Sequence, residues 1–289
     1  NEFAERNGQL GCAGDGMSRE GMTLAKAFDV FRPPPDEPML HWLIRCAKNE
    51  RDEPYDHFRI PHVGAPGGPL EAFQDPMIRE IYLMWATRNA KTYFGLWAML
   101  WTSAVWPSPC FFASASKPLV EDIIGDGAWK MAENCGQFGR LPREGRRPKK
   151  KIRLPRCQWY SGWAESSRTL ADKSAKIVHG NEIPKWRHLR GTSEADPWEL
   201  AKERAKEWPD RKVIGEGSPT IRKKCRIETA TLGGTHCRLN VPCPRCMKWQ
   251  RLNLGKGERG GIVFDRGHGG RADPEVAKRT ARYACRSEE

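Results

Sequence analysis

The pair Lys91-Thr92 follows one apolar run, Ile81 to Trp85, and opens another, Thr92 to Ala104. Strand, short polar turn, then helix, with lysine and a hydroxyl at the helix start, is the layout of a phosphate-binding loop. In such a loop backbone N–H groups face the phosphates. Lys91 would bridge the β- and γ-phosphates and Thr92 would hold Mg²⁺. The turn reads Ala86-Thr87-Arg88-Asn89-Ala90-Lys91-Thr92, with alanine at 90, where the common pattern has glycine directly before the lysine. Alanine resists the close approach and unusual backbone angles that glycine permits. The competing reading is therefore an ordinary strand-to-helix turn that carries Lys-Thr.

Three further constellations could do chemistry. Gly180-Asn181-Glu182-Ile183 ends an apolar stretch. An acidic pair in such a place orients a magnesium shell with its first carboxylate and polarises the attacking water with its second. Here the first is the amide of Asn181, which accepts a hydrogen bond from a metal-bound water but adds no charge, and Glu182 remains as the general base. Ser218-Pro219-Thr220, after another apolar stretch, could sense a γ-phosphate or be a plain turn. Cys243-Pro-Arg-Cys246 is half of a zinc knuckle, since this spacing lets two thiolates reach one tetrahedral ion. Cys285 and Glu288 stand where the other half belongs, with His236 and Cys237 as nearby alternatives.

The elements that must position these residues alternate. Met39 to Ala47 reads as a helix, Ile78 to Trp85 as a strand, Thr92 to Ala104 as a helix buried on most sides and Cys110 to Ala115 as a buried strand. Pro118 to Glu133 reads as one amphipathic helix, Gln158 to Tyr160 and Lys176 to His179 as strands, and Lys212 to Ile214 as a last strand followed by a turn from Gly215. Asp196-Pro197-Trp198-Glu199 is a helix start, with Asp196 as the cap, Pro197 in the first turn and Glu199 completing the cap. Alternating strands and helices call for an α/β fold with a mostly parallel sheet. The boundaries expected are an irregular N-terminal region over 1–70, a core over 71–236 and a small Cys-, Gly- and Arg-rich module over 237–289.

Composition limits the partners. The 289 residues carry a net charge of +13, from 49 Lys and Arg against 36 Asp and Glu, which favours a polyanion such as DNA. Nine of the basic residues lie between Arg140 and Arg156, where they could track a phosphate backbone or form a solvated loop. No apolar run reaches the roughly 20 residues a membrane helix needs, and the N-terminus has no signal-peptide pattern. Ten cysteines, mostly scattered, suit reduced cytosolic thiols plus one metal knuckle better than a disulfide framework. The absence of an initiator Met suggests a fragment.

Taken in order, these motifs resemble the large terminase subunit of tailed phages, of the lambda gpA-like family, in its ATPase half. The residues that carry the resemblance are Pro76-x-x-Arg-Glu-Ile-Tyr-Leu-Met84, Ala90-Lys91-Thr92, Phe112-Ala-Ser-Ala-Ser-Lys-Pro118, Asn181-Glu182-Ile-Pro-Lys-Trp186, Asp196-Pro-Trp-Glu-Leu-Ala-Lys-Glu-Arg204, Gly217-Ser-Pro-Thr-Ile221 and Val241-Pro-Cys-Pro-Arg-Cys246. The resemblance implies a RecA-like P-loop ATPase core followed by a zinc-ribbon-like insert. It implies ATP and Mg²⁺ on residues 86–92, Glu182 as catalytic base, and Arg88 stabilising transition-state charge. Asn181, Ser218 and Thr220 would stand near the nucleotide, and Zn²⁺ would sit on Cys243, Cys246, Cys285 and Glu288.

The implied partners are double-stranded DNA, a terminase small subunit and the portal of a procapsid, with the chain working as a homo-oligomeric ring in the bacterial cytoplasm and no membrane. A nuclease domain would follow and is absent here. The chain departs from the family pattern at Trp85, Ala90, Asn181 and Glu288. Those departures leave a second reading, a decayed prophage remnant that binds DNA without ATP turnover, and a third and weaker one, a helicase-like ATPase.

Overall fold

The computed structural model describes residues 36–57, 59–138, 150–187, 195–243, 245–251, 261–270 and 273–285. Its centre is a six-stranded sheet. In chain order the strands are β1 (Glu80–Met84), β2 (Cys110–Ser114), β3 (Lys151–Leu154), β4 (Cys157–Trp163), β5 (Ile177–Gly180) and β6 (Lys212–Gly217). Across the sheet the order is β1-β6-β5-β2-β4-β3, parallel throughout except for the β3–β4 pair. β6 therefore lies between the strand that enters the 86–92 turn and the strand that ends just before Asn181. Both β2 and β5 are buried along their whole length, as strands covered on two faces must be.

The period of two sorts each strand's side chains between two apolar layers. Phe112, Ile177 and Ile214 join a core with Met39, Trp42, Phe94 and Trp101, contributed by helices α1 (Met39–Cys46) and α3 (Lys91–Val105). Phe111, Val178 and Val213 face the opposite layer, built on Trp198, Ala201 and Ile227. Those residues come from α7 (Pro197–Lys202) and α8 (Arg226–Leu232). Asp196 caps α7 as its sequence indicates, accepting from the Trp198 N–H at 2.9 Å. Because Met39, Trp42 and Leu43 pack into the α3 layer, residues 36–47 share the core of the sheet domain. A short α2 (Pro69–Gln74) adds Phe73 to the same layer.

Two elements differ from their sequence reading. The helix expected over Pro118 to Glu133 divides into α4 (Lys117–Val120), a π-helical stretch (Glu121–Ala128) containing Gly125 and Gly127, and α5 (Trp129–Asn134). The strand expected to stop at Ile214 continues to Gly217, wholly buried. Gly215 and Gly217 do not form a turn. A Cβ on Gly215 would lie 2.8 Å from the Tyr82 ring, and one on Gly217 would lie 2.3 Å from Pro184. Glycine is what lets the neighbouring chain pack this closely.

After α6 (Ser167–Ala171) and the α7–β6–α8 unit, the C-terminal residues form two small antiparallel ladders around α9 (Pro274–Thr280). One pairs β7 (Asn240–Pro242) with β8 (Trp249–Arg251), the other β9 (Ile262–Val263) with β10 (Arg282–Tyr283).

Candidate active site

The site forms where β1, β5 and β6 end and α3 begins, the edge at which parallel α/β sheets bind ligands. α3 starts at Lys91 with no side-chain cap, so its first N–H groups are open toward that edge. The residue before it, Ala90, lies in the left-handed region at φ 57° and ψ 18°. Arg88 is there as well, at φ 63°. Alanine here holds a conformation that glycine adopts freely, at a cost of about 1–2 kcal/mol. The loop is braced from outside. The His62 ring nitrogen bonds the Asn89 carbonyl at 3.0 Å, and the His62 ring meets Trp85 edge-on at 4.8 Å.

Lys91 is buried, with its ammonium 3.0 Å from Glu182 Oε1. Glu182 is itself left-handed, at φ 50°, and receives Lys185 at 3.4 Å on its other oxygen. The Asn181 side chain is fixed at both ends. Ser114 Oγ donates to its carbonyl at 2.9 Å, and its amide N–H donates to Thr92 Oγ1 at 3.1 Å. Its backbone is fixed too, by a bond from its N–H to the Ala113 carbonyl at 2.8 Å and by the Trp186 indole on its own carbonyl at 2.9 Å. The residues expected from sequence on α3 and at the end of β5 therefore meet.

Sequence reasoning passed over a fifth group. Glu216, fully buried on β6, accepts from Thr92 Oγ1 at 2.8 Å and from the Asn181 amide on the same oxygen, Oε1. Its Oε2 makes no hydrogen bond and lies 4.0 Å from Lys91 Nζ. Burial raises the carboxyl to about 7, against the lowering effects of the Thr92 hydrogen bond, the Lys91 charge and the Asn181 amide. The signal was present in the sequence: Ile214 and Glu216 share one parity, the one that faces α3.

His179 is two residues before Asn181 on the same face. It is wholly buried with neither ring nitrogen hydrogen-bonded, and burial lowers it to about 3, so the imidazole is neutral. Its Nε2 is 3.9 Å from Glu216.

Other expected residues lie further out. Ala86, Thr87, Arg88 and Asn89 are exposed. Arg88 and Asn89, with Lys91 and Thr92, border a cavity of about 380 Å³ whose far wall includes Tyr55, Arg59 and Trp97. Ser218 Oγ donates to the Trp85 carbonyl at 3.2 Å, tying the end of β6 to the loop entrance. Thr220 is exposed, and its backbone N–H bonds Cys225.

Residues 59–289 match the family described as phage terminase large subunit gpA, ATPase domain. The chain belongs to that family. Terminases also resemble it among solved structures. The HK97 bacteriophage large terminase is 16% identical at a TM-score of 0.45, over 64% of this chain and 38% of that one. The ATPase domain of the Thermus phage P74-26 large terminase is 12% identical at 0.41, over 78% and 80% respectively. No curated protein sequence matches the chain. At these values the structural likenesses add nothing to the family match.

At the other end of this terminase-family chain, Cys243, Cys246 and Cys285 bring their sulfurs within 4.8 Å of one another, with Cys246 and Cys285 3.5 Å apart. His236 and Cys237 are not in that cluster. His236 bonds the Leu232 carbonyl at 2.6 Å, and Glu288 lies outside the described residues. Of the basic run, Arg140 to Lys149 likewise lies outside them. Lys151, Arg153 and Arg156 are exposed on or beside β3, with Lys150 and Lys151 over the Trp163 and Tyr160 rings. Among the described residues no helix is long and apolar enough to cross a membrane.

Proposed function

We propose that this chain hydrolyses ATP and that hydrolysis drives double-stranded DNA into a phage procapsid in the bacterial cytoplasm. The observation that carries the reading is the convergence of Lys91, Thr92, Asn181 and Glu182 at one end of the sheet. The open N–H groups of α3 and the Lys91 ammonium bind the triphosphate, and the cavity beside Tyr55 and Trp97 takes the nucleoside. Glu182 is the general base. Water attacks the γ-phosphorus, the bond to the ADP oxygen breaks, and the Glu182 carboxylate accepts the water's proton. A triphosphate competes with Glu182 for Lys91, so substrate binding frees the base.

The donors around Thr92 are a hydroxyl, an amide and carboxylates, an oxygen-rich set that suits Mg²⁺. When bound, Mg²⁺ neutralises charge on the phosphate oxygens. The Ser218 bond to Trp85 links the end of β6 to the loop and would pass the state of the nucleotide outward. Exposed cations at β3 contact the DNA backbone. In this reading the chain acts as a ring on the portal, with a small subunit supplying DNA recognition. We also propose that Cys243, Cys246 and Cys285 hold Zn²⁺, since three thiolates at this spacing suit a tetrahedral ion, with Glu288 the candidate fourth ligand.

The test is DNA-stimulated ATPase activity of the purified chain. Glu182→Ala should lower turnover by at least about 100-fold while nucleotide still binds. Equal turnover in both proteins would remove Glu182 as the base. No turnover in the unmodified chain would favour the remnant that binds DNA alone.

A further inference from the structure

Asn181 stands where the sequence leads one to expect the first acid of a pair, and an amide cannot supply the negative charge a magnesium shell calls for. The missing charge is one strand away. Glu216 sits on β6, which runs parallel to β5 with Gly215 beside Gly180, so its carboxylate approaches Thr92 from the adjacent strand. The Thr92 hydroxyl and the Asn181 amide both donate to Glu216 Oε1, and those two donors hold the carboxylate in one orientation. Oε2 is left buried, with no hydrogen bond and with Lys91 4.0 Å away.

A carboxylate buried in this way is costly unless it is paired or meets a metal. If Glu216 served only the fold, an amide would bond Thr92 equally well and avoid burying a charge. A role toward a cation explains why a carboxylate stands there.

We propose that Glu216 supplies the carboxylate of the magnesium shell that Asn181 lacks, and that Asn181 is a positioning residue that aims it. The acid stands at the end of β6 rather than at the end of β5, and the pair of carboxylates that the chemistry needs is Glu182 with Glu216. In this arrangement Asn181 is suited to its place because its amide N–H can donate to Glu216, where aspartate would repel it.

The inference rests on the nucleotide reading above, and one experiment separates the two. A fluorescent non-hydrolysable ATP analogue is titrated into the full chain in Mg²⁺ and in EDTA, Mn²⁺ binding with the same analogue is followed by electron paramagnetic resonance, and thermal unfolding is recorded without nucleotide. The unmodified chain should bind the analogue more tightly in Mg²⁺ than in EDTA. Glu216→Gln should weaken binding in Mg²⁺ by about 10–100-fold and broaden or abolish the bound Mn²⁺ signal. It should leave binding in EDTA unchanged and the melting temperature unchanged or higher. Asn181→Asp combined with Glu216→Gln, which returns the charge to β5, should recover the Mg²⁺ dependence.

A Glu216→Gln protein that keeps its Mg²⁺-dependent affinity and Mn²⁺ signal overturns the inference while the nucleotide site stands. So does a fall in melting temperature with equal loss in EDTA, which marks a structural role. An unmodified chain that binds no nucleotide in Mg²⁺ overturns both.

Discussion

Gly95 lies one turn into α3, and its place in the core gives a sharp test of how the loop helix is seated. A Cβ built there would stand 2.2, 2.4 and 2.5 Å from three atoms of the His179 ring, well inside contact distance. The ring cannot retreat, because it is wholly buried and meets Phe112 edge-on at 5.2 Å. In an open helix Gly→Ala gains about 1 kcal/mol. Here α3 or β5 must instead shift, and overpacking of this kind costs about 1–3 kcal/mol. Gly95→Ala should therefore destabilise by about 2 kcal/mol, lowering the melting temperature by about 4–8 °C.

The clash has a named partner, so it can be removed. His179→Ala opens the space, and in the double variant the alanine at 95 is free to contribute its helix propensity. Chemical unfolding of the four proteins should give a coupling of more than about 1 kcal/mol between the sites. A Gly95→Ala chain that melts higher, or costs that add within about 0.5 kcal/mol, would refute the packing of α3 on β5 described above. Under the proposed function, ATP turnover would fall with the same shift. Lys91 begins α3 and Glu182 follows β5, so moving one element against the other separates two groups now 3.0 Å apart.

Two other perturbations test the loop and the knuckle. Ala90→Gly removes a left-handed alanine at the cost of a more flexible unfolded chain, and a net gain of about 0.5–1 kcal/mol should raise the melting temperature by about 2 °C; Ala90→Val should lower it, and the reverse order would show that the Cβ at 90 is not strained. Cys285→Ser should abolish the equimolar zinc that elemental analysis of the purified chain is expected to find, and undiminished zinc would place the ion on other ligands.

Lys91, Thr92 and Glu182 were legible because their signal is local: each ends or begins an apolar run, and the sheet delivers them to one edge. The left-handed angle at Ala90 was not legible, because alanine resists that conformation and its presence argued for an ordinary turn. Glu216 was not read, because Gly215 and Gly217 made its surroundings resemble a turn. Those glycines answer to Tyr82 and Pro184, residues far away in sequence, and no local pattern announces such crowding. The π-helical stretch after Val120 was hidden for the opposite reason. Its apolar spacing fits a plain helix, and the extra residue in each hydrogen-bonded loop leaves no mark on the pattern. Cys285 was legible from its spacing and from the lack of any other paired cysteine.

Among the described residues, β1 is an edge strand of the six-stranded sheet, bonded to β6 on one side only. The loop that follows it is held, among those residues, on the sheet side, where Ser218 bonds the Trp85 carbonyl, and by His62 on the Asn89 carbonyl. A change at His62 or Trp85 would thus reach the 86–92 turn without altering any residue of it.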